Sequence, residues 1–282
     1  MRHWLRLIRT WNVLLSGAAA LVGAFIATGR FEQAIWLIIP IAPMLITAAG
    51  NIQNDLCDRA IDRLNRPDRP LASGAIQPAS AKLAVIILFA IGVLATLPLG
   101  SIPVVITLLV VLLLTLYNTS WSRLPGLGNL AVSLMGALPI VFGATAIAQT
   151  NNSRSAIAVA AAAVAFWMHL ARELTKDVSD IEGDRAGGRR TLPIVWGHAT
   201  VMRATALVML TAAATSLWLG TTGWLGPIYM IGICLTVLPA LLYGAAQCFW
   251  RPEPAIATFW SGGLKLIMLA GLIWVALAAP GQ

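Results

Sequence analysis

The sequence predicts an all-α integral membrane protein, a bundle of nine transmembrane helices around a central cavity that opens near the cytoplasmic face. Three observations carry that expectation. The chain is 59% hydrophobic and only 11% charged, where soluble domains carry about 25% charge. Residues 83–122, 124–153 and 204–250 contain no Asp, Glu, Lys or Arg. The charges that do occur collect in a few short intervals. A helix needs about 20 residues to cross the hydrocarbon core, so the first and third charge-free stretches hold two crossings each. Turn formers fall where each stretch must fold back, at Leu97-Pro98-Leu99-Gly100-Ser101-Ile102-Pro103 and at Gly220-Thr221-Thr222-Gly223. Lipid cannot satisfy an open sheet edge, so the crossings are helices.

In chain order, residues 1–30 begin with bases followed by an apolar run, as a signal peptide does. No small-residue cleavage site leads into a hydrophilic domain, so the run is the first span, 11–29. The others are expected at 34–54, 79–98, 102–120, 126–148, 155–176, 199–219, 224–248 and 255–278. Residues 1–282 then form one membrane domain. Cys57, Cys234 and Cys248 offer no disulfide framework.

Basic residues fix the expected orientation in the cell membrane. With the N-terminus cytoplasmic, that side holds Arg2, Arg6, Arg9, Arg59, Arg63, Arg66, Arg69, Lys82, Arg123, Arg172, Lys176, Arg185, Arg189, Arg190, Arg203 and Arg251. These are sixteen of the nineteen. Arg30 and Arg154 fall opposite, and Lys265 lies inside the last span. The net charge of +8 is therefore a topology signal and not a nucleic-acid surface.

Nine of the eleven acids occupy two short segments: Asp55, Asp58, Asp62 and Asp68, then Glu173, Asp177, Asp180, Glu182 and Asp184. Asp55/Asp58/Asp62 and Asp177/Asp180/Asp184 share the spacing i, i+3, i+7, which lines up side chains on one helix face. Such rows repel unless a counter-ion compensates. Both fall at cytoplasmic ends of expected spans, among arginines. Magnesium keeps several waters and takes one or two carboxylates plus substrate phosphate oxygens, while Arg and Lys suit the remaining phosphate oxygens. Two facing rows would clamp a diphosphate through Mg²⁺. Charge at mid-bilayer costs about 3 kcal/mol or more apiece, which places the cavity mouth near the interface.

Asn54-Asp55-Leu56-Cys57-Asp58-Arg59-Ala60-Ile61-Asp62, continuing through Asn65-Arg66-Pro67-Asp68-Arg69-Pro70-Leu71, resembles the first aspartate signature of the UbiA superfamily of intramembrane prenyltransferases. Asp177-Val178-Ser179-Asp180-Ile181-Glu182-Gly183-Asp184, with Thr191-Leu192-Pro193, resembles the second. The motif regions span 54–70 and 172–193. The resemblance implies a nine-helix bundle in which both motifs bind Mg²⁺, a prenyl diphosphate ionises, and an acceptor captures the shielded allylic cation. It assigns Asn54, Asp55, Asp58, Asp177, Asp180 and Asp184 to Mg²⁺–diphosphate binding. Asp62 would act on metal or acceptor, and Arg66, Lys176 and Arg185 on phosphate. Tyr117 matches a tyrosine near the diphosphate. A lysine that often follows it is replaced by Trp121-Ser122-Arg123, so Arg123 substitutes for it or the contact is absent.

The second motif, Thr191 to Gly197, and Arg9-Thr10-Trp11-Asn12 are most similar to the branch that joins a geranylgeranyl chain to geranylgeranylglyceryl phosphate. Asn12 is thereby a substrate-contact candidate, and Thr10 departs from that branch's usual proline. An aromatic, quinone-type or chlorophyll-type acceptor stays open. So does a different class, an ion-coupled transporter, which calls for charged groups in mid-span; only Lys265 meets that description. Trp11, Trp121, Phe166 and Trp167 offer π faces to a cation or belong to interfacial belts. His169 is a base on the acceptor side or a structural hydrogen-bond partner. Gly187-Gly188 reads as a lid hinge.

Overall fold

Apolar runs punctuated by Pro and Gly fold into helices joined by short turns. The structure, a computed structural model, describes residues 1–29, 34–147 and 152–278, without the side chains of residues 34, 35, 64, 65, 123, 152 and 153. No strand occurs among the described residues. The α-helices are α1 (Arg2–Leu7), α2 (Thr10–Thr28), α3 (Ile41–Cys57), α4 (Arg59–Asn65), α5 (Pro78–Leu94), α6 (Ser101–Thr119) and α7 (Leu127–Thr145). After them come α8 (Asn152–Ser179), α9 (Ile181–Ala186), α10 (Leu192–Trp196), α11 (His198–Thr221), α12 (Pro227–Gly232), α13 (Leu238–Trp250) and α14 (Pro254–Leu277).

Eight helical stretches among the described residues are long and apolar enough to cross a membrane, from Thr10–Thr28 to Pro254–Leu277. The segment expected as a span at 34–54 is divided. A 3-10 turn covers Ala34–Leu37, and α3 starts after Pro40 and runs for 17 residues. One crossing, Pro227–Trp250, contains a π-turn at Ile233–Val237. Pro239 gives the reason, since its ring displaces the carbonyl four residues back, at Leu235, inside that turn.

α8 is the hub, packed on α7, α11, α14 and α2. Its buried side is rich in alanine, including Ala158, Ala161, Ala162 and Ala171. Without a hydrophobic drive between helices in lipid, small residues permit the close approach that holds them. α2 and α7 show the limit of this. A Cβ on Gly23 would sit 1.9 Å from the Ile140 carbonyl oxygen, and one on Gly143 would sit 1.7 Å from that of Ala20. The outward faces of α5 and α6 expose Leu83, Ile86, Ile91, Leu108 and Leu112, an apolar coat suited to acyl chains.

Candidate active site at one end of the bundle

Both acidic motifs are built in the same way. α3 ends at Cys57 and α4 starts at Arg59, with Asp58 between them at φ −88°, ψ 1°. α8 ends at Ser179 and α9 starts at Ile181, with Asp180 between them at φ −96°, ψ 5°. The middle acid of each row thus occupies the sparsely populated bridge region where active-site residues recur. The helix expected to carry each row is therefore interrupted at the row's middle acid. Its register survives, because Asp58 N–H donates to Asn54 O (2.9 Å) and Asp62 N–H to Asp58 O (2.8 Å). Asp180 N–H donates to Lys176 O and Asp184 N–H to Asp180 O, both at 2.9 Å.

The two rows meet. Arg66 Nη2 donates to both Asp180 oxygens, at 3.0 and 3.2 Å. Arg189 bridges the rows again, hydrogen-bonding Asp58 and lying 3.7 Å from Asp184 Oδ1. Gly187-Gly188 places Arg189 there, and closes α9 as a cap where a hinge was expected. Gly188 is left-handed (φ 69°), its N–H donates to Arg185 O (3.1 Å), and Arg189 N–H donates to Asp184 O (2.9 Å). This is the Schellman pattern, which favours glycine at the left-handed position.

Behind this bridge lies a cavity of about 1330 Å³. Asp58, Asp62, Asp180, Asp184, Asn54, Arg66, Lys176, Tyr117 and Asn12 line it. From that mouth it runs inward between α2, α8, α11 and α14 to Ser216, Leu219 and Tyr229. Ligand pockets commonly measure about 300–1,000 Å³, so this one has room for long chains.

Asp55 and Asp177, expected on the metal, are not on the wall of this cavity. Asp55 is 3% exposed, because Arg9 (2.7 Å) and Arg69 (3.2 Å) both reach its Oδ1. Asp177 accepts from Asn129 Nδ2 (2.8 Å) and faces a small side pocket that shares Tyr117, Lys176, Asp184 and Arg189 with the main one. Arg185 is exposed and off the wall, whereas Arg189 is on it. The Arg123 side chain lies outside the described residues. Of the four weighed aromatics only Trp11 lines the cavity, while Phe166 and Trp167 pack edge to face on each other. His169 lines the cavity and makes no hydrogen bond to a described residue, so its structural role as such a partner is not observed.

Other functional-site neighbours carried weak sequence signals. Arg9, at φ 54°, joins α1 to α2 and also donates to Asn54 Oδ1 at 3.0 Å. Left-handed backbone costs a non-glycine residue about 1–2 kcal/mol, and the Asn54/Asp55 contacts offset it. Arg69 spans Asp55 and Asp62, with 2.7 Å to Asp62 Oδ2. Asn118 ties the end of α6 to Gln53 Oε1 (2.9 Å). Only the interleaving of arginines with the acids hinted at this pairing.

Outside the spans, burial raises the Asp62 carboxyl above its usual range, with Asp55 and Asp58 adding to the rise against the opposing Arg69. Burial likewise raises Asp184, opposed by Arg189 and Lys176 and reinforced by Asp180 and Asp58. For Arg189, burial opposes the charge, but its hydrogen bond to Asp58 and the charges of Asp58 and Asp184 prevail and hold it above its ordinary value.

Among the described residues no three His, Cys, Asp or Glu side chains form a ready metal cage. Magnesium does not need one, since one or two carboxylates and substrate phosphates suffice. The donor set fits. One guanidinium reaches an acid from each row, so hard oxygens of Asp58 and Asp184 lie on either side of a single positive charge.

This fold and site define a membrane-embedded prenyltransferase, and comparison with known proteins agrees. The UbiA prenyltransferase family matches residues 16–278, and the chain belongs to it. Digeranylgeranylglyceryl phosphate synthase from Natronomonas pharaonis is 34% identical over 97% of this chain and 95% of its own. The enzyme of that name from Methanoregula boonei is 36% identical over 99% and 98%. A solved structure of a digeranylgeranylglyceryl phosphate synthase aligns with TM-score 0.82 at 26% identity, covering 99% of this chain and 98% of that one. A UbiA homolog from Archaeoglobus fulgidus bound to GPP and Mg²⁺ shares the fold, with TM-score 0.64 at 19% identity and coverage of 97% and 99%.

Proposed function

We propose that this prenyltransferase moves a geranylgeranyl group from its diphosphate to the free hydroxyl of geranylgeranylglyceryl phosphate. The allylic carbon–oxygen bond to diphosphate breaks, an ether bond forms at that carbon, and the acceptor hydroxyl releases its proton. The observation that carries this reading is the Arg189 bridge between Asp58 and Asp184 at the mouth of a cavity of about 1330 Å³. It brings charge-compensated oxygens from both motifs to the entrance of a chamber large enough for two prenyl chains. The names of the full-length relatives support the acceptor class.

Asp58, Asp180 and Asp184 would hold Mg²⁺, the ion with which a homolog of the same fold was solved beside GPP. The ion supplies charge neutralisation for the leaving diphosphate. Arg66, Lys176 and Arg189, released from their carboxylates, take phosphate oxygens. Asp55 keeps Arg9 and Arg69 in place, and Asp177 keeps Asn129. The apolar part of the wall, which includes Val22, Ile140, Val164 and Leu219, would shield the cation from water, which would quench it. The same reading puts the mouth on the cytoplasmic side, by the distribution of bases. It also counts α3 as a ninth crossing, since 17 residues is the lower limit for a span.

Purified protein incubated with radiolabelled geranylgeranyl diphosphate, with and without Mg²⁺, tests it against a panel of glycerophosphate, quinone-type and chlorophyllide acceptors. Mg²⁺-dependent label in the doubly prenylated glycerophosphate is expected. Label only in an aromatic acceptor overturns the reading.

A further inference from the structure

Lys265 sits near the middle of α14, lines the cavity, and makes no hydrogen bond or ion pair to any described residue. An uncompensated cation at that depth is costly and marks function by default. The charged groups acting on it are Arg172, Glu173, Arg9 and Lys176. All four have partners: Arg172 pairs with Glu173, Arg9 with Asp55, and Lys176 with Asp180. Lys265 is left over, the one of these cations with no carboxylate within ion-pair distance among the described residues.

Its surroundings are polar in a periodic way. On α14, Thr258, Ser261 and Lys265 follow i, i+3, i+7 and all line the cavity, a polar stripe on an otherwise apolar helix. Among the described residues both hydroxyls are bonded only to their own helix, Thr258 to Pro254 O (3.0 Å) and Ser261 to Thr258 O (2.9 Å). They keep lone pairs and can rotate toward a ligand. α8 packs on α14 and brings Arg172, whose Nε is buried without an acceptor among the described residues. Orphaned buried donors are rare and call for an explanation.

We infer that Lys265, with Arg172, Thr258 and Ser261, forms an anion subsite for the phosphomonoester of the acceptor lipid, separate from the diphosphate site at the mouth. The inference rests on the glycerophosphate acceptor of the proposed function. In that lipid the free hydroxyl and the phosphate ester stand on adjacent carbons, so anchoring the phosphate also places the nucleophile. A lysine ammonium suits this as a compact point charge.

The test compares wild type with Lys265→Gln and Lys265→Arg in the full chain. Initial rates are measured with geranylgeranylglyceryl phosphate and with geranylgeranylglycerol, which lacks the phosphate. Lys265→Gln should raise KM for the phosphorylated acceptor about ten-fold or more, the loss of one charged hydrogen bond. Lys265→Arg should recover most of it. KM for geranylgeranyl diphosphate and the rate with geranylgeranylglycerol should stay unchanged. Thermal stabilisation by geranylgeranyl diphosphate with Mg²⁺ shows that each variant is folded. Equal losses with both acceptors, or a rise in KM for the diphosphate alone, overturn the subsite. A wild-type enzyme that prenylates neither acceptor overturns the acceptor reading itself.

Discussion

Arg66 holds Asp180 through both carboxylate oxygens, at 3.0 and 3.2 Å, across 114 residues of chain. It belongs to the first motif's arginine-proline run, and Asp180 is the central acid of the second motif. Their contact is therefore a direct measure of how the two halves of the site are joined. The pair is partly exposed, with side chains at 44% and 29%, and pairs of this kind contribute about 1 kcal/mol or less to stability. Arg66→Met is expected to leave the melting temperature nearly unchanged while lowering kcat/KM for the prenyl diphosphate about ten-fold or more. Steady-state kinetics beside a thermal scan checks this, and a matched fall in both would make Arg66 structural only.

The α2–α7 crossing should be intolerant of any side chain. At Gly143 a Cβ would meet the Ala20 carbonyl oxygen at 1.7 Å, a backbone atom that cannot swing aside. Gly143→Val should force the two helices apart at a cost of about 3 kcal/mol. Size-exclusion profiles and melting curves in detergent are the check. The expected result is a large fall in melting temperature or loss of monodisperse protein.

Tyr229 closes the far end of the cavity. It is 2% exposed and its hydroxyl donates to Ser216 O at 3.4 Å. Ser216 lies eighteen residues beyond the start of α11 at His198, about 27 Å along the axis at 1.5 Å per residue. Tyr229→Ala should open that end and admit a prenyl diphosphate one isoprene unit longer, read as a shift in donor preference by product mass spectrometry. Unchanged donor preference would show that the chain ends elsewhere.

Protons should compete with the metal. Burial first, and then the neighbouring acids, hold Asp184 above the ordinary carboxylate range of about 4. Asp62 behaves alike. A raised folded-state value means the metal-free fold binds these protons more tightly than the unfolded chain does. That contribution to stability is full in acid and is lost as pH rises through the folded value. Metal binding requires the ionised form. The rise in melting temperature caused by Mg²⁺ should therefore shrink on acidification before the ordinary carboxylate range is reached. An undiminished rise down to that range would show that Asp184 is not a ligand.

Much of this was legible before any coordinates. Charge-free runs located most of the eight candidate crossings, and the repeated i, i+3, i+7 spacing singled out acids of which Asp58, Asp62, Asp180 and Asp184 line the cavity. The division of residues 34–54 was harder to read. Pro40 stands between two apolar segments, and composition alone does not say on which side of it the helix begins. Spacing also could not separate Asp58 from Asp55. Both lie in one row, but Asp55 is covered by Arg9 and Arg69, which approach from separate segments of the chain. Arg189 was counted among the bases of the cytoplasmic side. Its position follows from the left-handed Gly188 beside it, a conformation that sequence permits without requiring. Lys265 stood out as the one mid-span charge, but its lack of a partner needed the packing of α8 and α14.

Titration of Mn²⁺ in place of Mg²⁺, followed by electron paramagnetic resonance with geranylgeranyl diphosphate present, tests the joint site most directly. Wild type, Asp58→Asn, Asp180→Asn and the double variant are compared. Each single change should weaken metal binding about ten-fold or more, and the double change should cost less than the two combined, because both acids serve one ion. Unaltered binding in either single variant, or losses that simply add, would contradict a metal shared between the two motifs.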